Sequence, residues 1–327
     1  MSARHRSFPR GCGRKEMSNR GNNYDVTSQV DTTDPQSVNV EIDRIYLDLY
    51  PGAPTWQLDR AFGDLAKLYR GEYPGYRACD TAYHNIQHVL DVTLAMARLI
   101  DGYERGRVGT ESVDDAMFRL GVITALFHDV GYLRKIKDYA HKNGAEYTLI
   151  HVSRGARFLR NYLPQIGMSN VADVAANLIH FTGYEKPVAK IKVPSLIHRL
   201  LGSMLGSADI IAQMADRCYL EKCRDRLYPE FVAAGIATKH TPDGEEQVVY
   251  ASGEDLLMKT PAFFDGASKR LNVDLGGCFA YAQQHFGGPN LYIEELDKNI
   301  QFAKKLSDDG DTSMLRRNPP ETPTQDS

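Results

Sequence analysis

The sequence lacks the features of a membrane-embedded, disulfide-bonded or nucleic-acid-binding protein. No apolar run approaches the length of a bilayer span, and no apolar segment follows the basic residues near the N-terminus. The formal charge of −3 offers no general attraction to nucleic acid or anionic lipid, so any recognition of phosphate must be local. The five cysteines are odd in number and lack the CxxC spacing of a thiolate metal site. We therefore expect a protein of the reduced cytoplasm, with neither a membrane nor a nucleic acid as partner.

Two further absences narrow the fold class. Sustained alternation of apolar and polar residues, the signature of strands, is missing, and no glycine-rich GxxxxGK[ST] phosphate loop is present. Apolar residues instead recur at helical spacing. An all-α fold is therefore predicted, with helices at 39–49, 55–70, 83–104, 112–130, 143–163, 169–181, 193–218, 219–234, 253–257, 261–271, 274–286 and 291–306.

The composition divides the chain into a body and two tails. Residues 1–38 are polar with almost no apolar periodicity, and residues 307–327 are polar and proline-rich, so both are expected to be disordered. Residues 39–306 are predicted to form a single all-helical domain. Its chemistry-bearing core spans about 80–215, and the role of the additional helices in 219–306 stays open.

A pair of histidines begins the core. His84 and His88 are four residues apart, and on one helix both rings would project from nearly the same face. They could then serve one site, although two solvated or packed histidines would give the same pattern.

An ionisable doublet ends the next apolar run. His128 and Asp129 follow Ile123-Thr124-Ala125-Leu126-Phe127, where a buried carboxylate is costly unless a cation or a donor compensates it. Both side chains could bind one metal ion, and the second carboxylate oxygen could bridge to another. The alternative is an Asp bonded to backbone amides beside a packed histidine.

Three more candidates lie in later apolar segments. His151 and His180 could each be a packed core histidine, which is the commoner case for a single one. Asp209 is a lone carboxylate inside an apolar helix, and such an acid needs a partner. Asp209 is therefore the best single indication of a bound cation.

Taken in order, this series of histidines and aspartates resembles the HD-domain superfamily of metal-dependent phosphohydrolases over about residues 80–215. The segment Tyr83-His84-Asn85 with His88 also resembles a signature of class I cyclic nucleotide phosphodiesterases. In those enzymes the doublet is followed by His, Pro-Gly and Asn, whereas here Val130-Gly131 follows. The HHE and GYP elements of the HD-GYP group are absent too, which disfavours cyclic dinucleotides as substrates.

The resemblance implies a role for each candidate. His88, His128, Asp129 and Asp209 would hold a first metal, and Asp129 would also bridge to a second. His84 would be the general acid, while His151 and His180 resemble the second-metal histidines of binuclear members. The implied cofactors are divalent ions, two in number, of Mn, Mg, Fe or Zn.

The implied reaction is hydrolysis of a phosphoester, with a nucleotide or cyclic nucleotide phosphodiester as the small-molecule substrate. Two alternatives stay open: a diiron oxygenase of the inositol oxygenase-like type, and a non-catalytic nucleotide-binding module. Sequence does not address the oligomeric state.

The sequence gives only weak indications of which residues other than the metal ligands contact the substrate. Lys142, Arg154 and Lys186 could neutralise phosphate, although solvated charges are commoner. The aromatic residues of 263–288 could wall a base, but we favour a core role for them.

Overall fold

The computed structural model describes residues 20–240, 243 and 245–321, and these residues form an all-α fold, as predicted. The α-helices are α1 (Pro35–Leu49), α2 (Trp56–Arg70), α3 (Ile86–Gly106), α4 (Asp115–Leu126), α5 (His151–Tyr162), α6 (Ala172–Leu178), α7 (Leu196–Met214), α8 (Tyr219–Lys222), α9 (Tyr228–Ala233), α10 (Gly253–Lys269), α11 (Ala282–Phe286) and α12 (Leu291–Asp309). Short 3₁₀ helices lie at Val130–Tyr132, Gly144–Tyr147, Leu163–Ile166, Ser169–Val171, Ile179–Phe181, Val188–Lys190 and Cys278–Tyr281. Two π-helical turns lie at Cys223–Leu227 and Arg270–Asp274.

One small β-hairpin interrupts the helical pattern. Strands β1 (Thr238–His240) and β2 (Glu246–Val248) pair antiparallel, with Thr238 opposite Val248. Strands of three residues are too short for the alternation that reveals longer ones. The sequence pattern therefore did not predict this hairpin.

Helix α3 is the central element of the fold. It packs against α1, α4, α7 and α11, and residues such as Val89, Leu94 and Ile100 are completely or almost completely buried. A helix that is apolar on most of its circumference must be covered on several sides. Its contact with α7 brings the first turn of α3, with His88, close to Asp209.

Helix α10 continues through Pro261, where the sequence predicts a break between two helices. Leu257 and Phe264, on either side of the proline, are both buried in the core. Tertiary packing on both sides therefore outweighs the local cost of a proline inside a helix.

The segments predicted as tails are partly packed onto the body. Asp25 is only 3% exposed, and its carboxylate accepts a 2.6 Å hydrogen bond from buried Arg98 of α3. At the other end, α12 extends to Asp309 and the Arg317 N–H donates to Glu221. Polar contacts and a few buried apolar residues, such as Val30 and Leu315, attach these segments, and such isolated residues give no apolar periodicity. Residues 1–19 and 322–327, the outer parts of the predicted tails, lie outside the described residues.

Among the described helices, none combines the length and the apolarity that crossing a bilayer requires.

Candidate metal centre and active-site cavity

Three of the predicted ligands converge in the interior. His88 Nε2 and His128 Nε2 each lie 3.2 Å from Asp129 Oδ2, and 3.3 Å from each other. All three residues are buried. In the part of the chain that the structure describes, this is the one group of three or more His, Cys, Asp or Glu whose ligand atoms all lie within 4.8 Å of one another. A His-His-Asp cluster of this kind could bind a metal ion.

The donor atoms of this cluster fit a cation. Asp129 Oδ2 is buried without a hydrogen-bond partner, which is costly unless a positive charge faces it. His128 Nδ1 lies 2.7 Å from the Ala125 carbonyl oxygen, which can only accept, so Nδ1 carries the proton. In the neutral ring, the lone pair of His128 is then on Nε2, directed at the cluster.

Charge coupling inside the cluster is strong. Burial lowers the pKa of His128, but the carboxylate of Asp129 beside it raises the pKa to about 9. For Asp129, burial raises the pKa because it disfavours the charged carboxylate, but His128 and the other imidazoles hold that pKa well below its ordinary range. The site thus favours the ionised form of Asp129, with positive charge beside it.

Local structure explains how these residues meet. Asn85 caps α3 by accepting a hydrogen bond from the His88 N–H, which fixes the backbone at the start of the helix. Helix α4 ends at Leu126, so His128 and Asp129 lie in the turn before the 3₁₀ helix Val130–Tyr132.

Asp209 and His151 border the cluster from two sides. Asp209 Oδ1, on α7, lies 3.5 Å from His88 Nε2 and 3.8 Å from His128 Nε2. His151, the first residue of α5, places Nε2 3.7 Å from Asp129 Oδ1. Its Nδ1 donates to the Thr148 carbonyl, and burial lowers its pKa, so Nε2 presents a lone pair.

The structure does not bring His180 into this cluster. His180 lies in the 3₁₀ helix Ile179–Phe181, with Nδ1 2.5 Å from Glu185 Oε1. Lys186 Nζ lies 3.0 Å from His180 Nε2. Because an ammonium only donates, the lone pair of Nε2 is already used here.

His84 lies beside the cluster but outside helix α3, which begins at Ile86, so the prediction that one helix carries both His84 and His88 is wrong. Its Nδ1 is 2.5 Å from Glu230 Oε2, while Glu230 Oε1 accepts from the Tyr83 N–H at 2.6 Å. Burial lowers the pKa of His84, but Glu230, together with Asp129 and Asp209, raises it above its ordinary value. Glu230 thus favours the protonated form of the His84 ring.

Tyr132 fixes the plane of the His84 ring. The two rings stack with centroids 4.2 Å apart, and Tyr132 also stacks on His151 at 4.4 Å. The Tyr132 hydroxyl is 3.4 Å from His84 Nε2.

Several of these groups, though not His128, His180 or Glu230, line one cavity of about 590 Å³, which is large enough for a small-molecule substrate. His84, His88, Asp129, His151 and Asp209 are among its lining residues. Residues of the segment 219–263 also line it, so the later helices contribute to the wall of the same cavity.

Sequence reasoning missed Glu230, Tyr132 and Glu185. Glu230 is nearly 150 positions beyond His84, and a single acid on a short helix carries no spacing signal. Its one available indication is Tyr228-Pro229-Glu230, where the proline near the helix start leaves the acid in the first turn.

The phosphate-neutralising candidates have other contacts. Arg154 donates to the carbonyls of Gly131 and Leu133, and Lys186 contacts His180. Lys142 is exposed, and its backbone N–H donates to Glu146.

Comparison with known proteins adds little. No protein-family model and no curated protein sequence matches the chain. Among solved structures, the chain is similar to the phosphodiesterase domain of the RhoPDE fusion protein from the choanoflagellate Salpingoeca rosetta. The identity is 14%, the match covers 90% of this chain and 97% of that chain, and the TM-score is 0.47. A functional conclusion must therefore come from the geometry of this chain's own site.

Proposed function

We propose that the protein is a metal-dependent phosphohydrolase that cleaves a phosphodiester, with His84 as the general acid. The observation that carries the proposal is the pairing of two features at one end of the cavity. A buried His88, His128 and Asp129 cluster lies there, and beside it lies an imidazole that Glu230 keeps prepared to carry a proton.

His88, His128 and Asp129 would hold the metal, with Asp209 as the fourth ligand of the proposal. A divalent cation at such a site supplies a nucleophilic hydroxide at neutral pH and neutralises charge on the phosphoryl oxygens. That cation would compensate Asp129 Oδ2, which is buried without a hydrogen-bond partner.

His84 acts on the leaving group. When an ester oxygen departs as an alkoxide, it needs a proton, and a protonated imidazole at the cavity wall can donate it. Glu230 keeps that imidazole protonated and oriented, and Tyr132 restricts its plane.

For a second divalent ion we propose Asp129 Oδ1 and His151 as ligands. His180 would be a further ligand of this second ion only if Lys186 Nζ moved away from His180 Nε2. A complete six-ligand set, which the diiron oxygenase alternative needs, is not assembled around the described cluster, and we therefore favour hydrolysis.

The test combines elemental analysis with hydrolysis of bis-p-nitrophenyl phosphate and p-nitrophenyl phosphate in added Mn²⁺ or Mg²⁺. Hydrolysis that depends on metal and favours the diester supports the proposal. Bound iron with oxygen consumption and no hydrolysis would replace it with the oxygenase. Nucleotide and cyclic nucleotide diesters would then be screened as natural substrates.

A further inference from the structure

One wall of the cavity, contributed by the segment after residue 219, is mainly apolar and aromatic. Leu227, Phe231, Ile236, Leu256 and Phe263 all line the cavity, and each comes from the segment after residue 219. Phe231 is also packed against another lining residue, Tyr250, with ring centroids 5.7 Å apart. This wall offers contact area for a substituent of the substrate, and burial of that substituent would be favourable.

The cavity has little positive charge to offer a highly anionic substrate. In the described part of the chain, Lys259 is the only Lys or Arg that lines it, and its Nζ donates to Asp255 and to the Val249 carbonyl. Acidic side chains line it as well, namely Asp129, Asp209 and Glu185. A bound metal would neutralise part of a substrate's negative charge, but the carboxylates of the lining would repel additional phosphate groups.

Polar groups of the wall are partly engaged within the protein. The Thr260 hydroxyl donates to the Leu256 carbonyl, and Gln213 Oε1 accepts from the Tyr83 hydroxyl. The organic part of a ligand would therefore bind to this wall mainly by packing and less by hydrogen bonding.

The mouth of the cavity is also apolar. Leu149, Tyr184 and Phe263 line the cavity and are 74%, 66% and 43% exposed. Single exposed apolar residues are ordinary, but three around one opening indicate a surface that a ligand covers.

We infer that this cavity selects phosphodiesters that carry one negative charge and a bulky apolar or aromatic substituent on the ester that is retained. The inference rests on the proposed function and adds a substrate class to it. The substituent packs against the wall that includes Phe231 and Phe263, and substrates with additional phosphate groups are disfavoured.

The experiment compares two diesters with the same leaving group, bis-p-nitrophenyl phosphate and methyl p-nitrophenyl phosphate, in the metal-loaded full chain. Each kcat/KM is divided by the ester's hydroxide-catalysed rate, so that the ratio reports on the retained group. We expect the aryl diester to be favoured by about tenfold or more, from burial of a second ring. Phe263→Ala should narrow this ratio, while Val273→Ala, which removes an exposed apolar side chain outside the cavity, should preserve it.

Equal corrected rates for the two diesters would overturn the inference and leave the proposed hydrolase intact. If neither diester is cleaved, the proposed function fails, and binding then decides the inference. Isothermal titration of diphenyl phosphate against dimethyl phosphate should still show tighter binding of the aryl ligand, weakened by Phe263→Ala. Equal or absent binding of both ligands would overturn the inference.

Discussion

At the scale of single residues, the proposed chemistry depends on the proton of His84. Replacing His84 with Ala removes the proton donor but none of the three clustered ligand side chains. We expect turnover of bis-p-nitrophenyl phosphate to fall roughly 10²–10⁴-fold, with metal content per chain unchanged. His198→Ala is the matched control, because His198 contacts Ser195 on the surface and does not line the cavity. A loss of metal together with activity would instead assign His84 a ligand role.

In the proposed mechanism, Glu230 sets the pH range over which His84 carries its proton. The carboxylate raises the pKa of His84, and a general acid loses activity as pH rises through its own pKa. In Glu230→Gln we expect a lower pKa for His84, so the alkaline decline of kcat/KM should begin at a lower pH. Glu246→Gln, a change at an exposed glutamate of β2, should leave the profile in place. An unshifted alkaline limb in Glu230→Gln would contradict the positioning role.

At the scale of elements, the site depends on a close approach between the 3₁₀ helix Val130–Tyr132 and α5. A Cβ on Gly131 would lie 1.9 Å from the His151 carbonyl oxygen, which is backbone and cannot rotate away. We expect Gly131→Ala to destabilise the fold by about 1–3 kcal/mol and to displace His151 and Tyr132, which lowers activity.

Gly266 is the control for that substitution. It lies inside α10 with nothing within 4 Å of the position its Cβ would take, so Gly266→Ala should be neutral or stabilising by up to about 1 kcal/mol. Urea unfolding of both variants measures the difference, and equal free energies of unfolding would refute the packing argument.

The elements also show where sequence reasoning succeeded. The sequence placed Asp209 inside an apolar helix, and α7 contains it, whereas the helix predicted over 112–130 ends at Leu126 and leaves His128 and Asp129 in the turn that follows. It could not place His84, because Asn85 caps α3 and turns the preceding residues out of the helix. The spacing of His84 and His88 predicted that the two rings lie close together because one helix carries both. The rings do lie close together, but only His88 is in α3, and His84 is instead held by its contact with Glu230.

At the scale of the whole molecule, we propose that residues 39–306 act as one domain. The apolar core is continuous from α1 to α12, and the segment 219–263 walls the cavity that the earlier helices begin. Sequence could not settle this point, because contacts between α9 and the His84 segment join residues far apart in the chain.

The N-terminal segment contributes to stability through one buried ion pair. Arg98 holds the pKa of Asp25 below its ordinary value of 3.8, against burial, which raises it. Asp25→Asn would leave the Arg98 charge uncompensated in the interior, so we expect a loss of about 3–5 kcal/mol at neutral pH. Asp48→Asn, which breaks an exposed pair with Arg44, should cost less than about 1 kcal/mol.

The pH dependence of that loss follows from the depressed pKa. A carboxylate with a lowered folded-state pKa stabilises the fold above its unfolded pKa, and this contribution is lost as pH falls through the folded pKa. The difference in unfolding free energy between wild type and Asp25→Asn should therefore narrow below about pH 4. A difference that stays constant down to pH 2 would contradict the ion-pair account.

The most direct test of the central claim is a metal titration of the chelator-stripped protein. The rate of bis-p-nitrophenyl phosphate hydrolysis is followed as Mn²⁺ is added to wild type and to Asp129→Ala. We predict no activity without metal, a saturable rise in wild type, and no rise in Asp129→Ala. An unchanged rate after stripping, or an Asp129→Ala variant that responds like wild type, would show that this cluster is not the catalytic metal site.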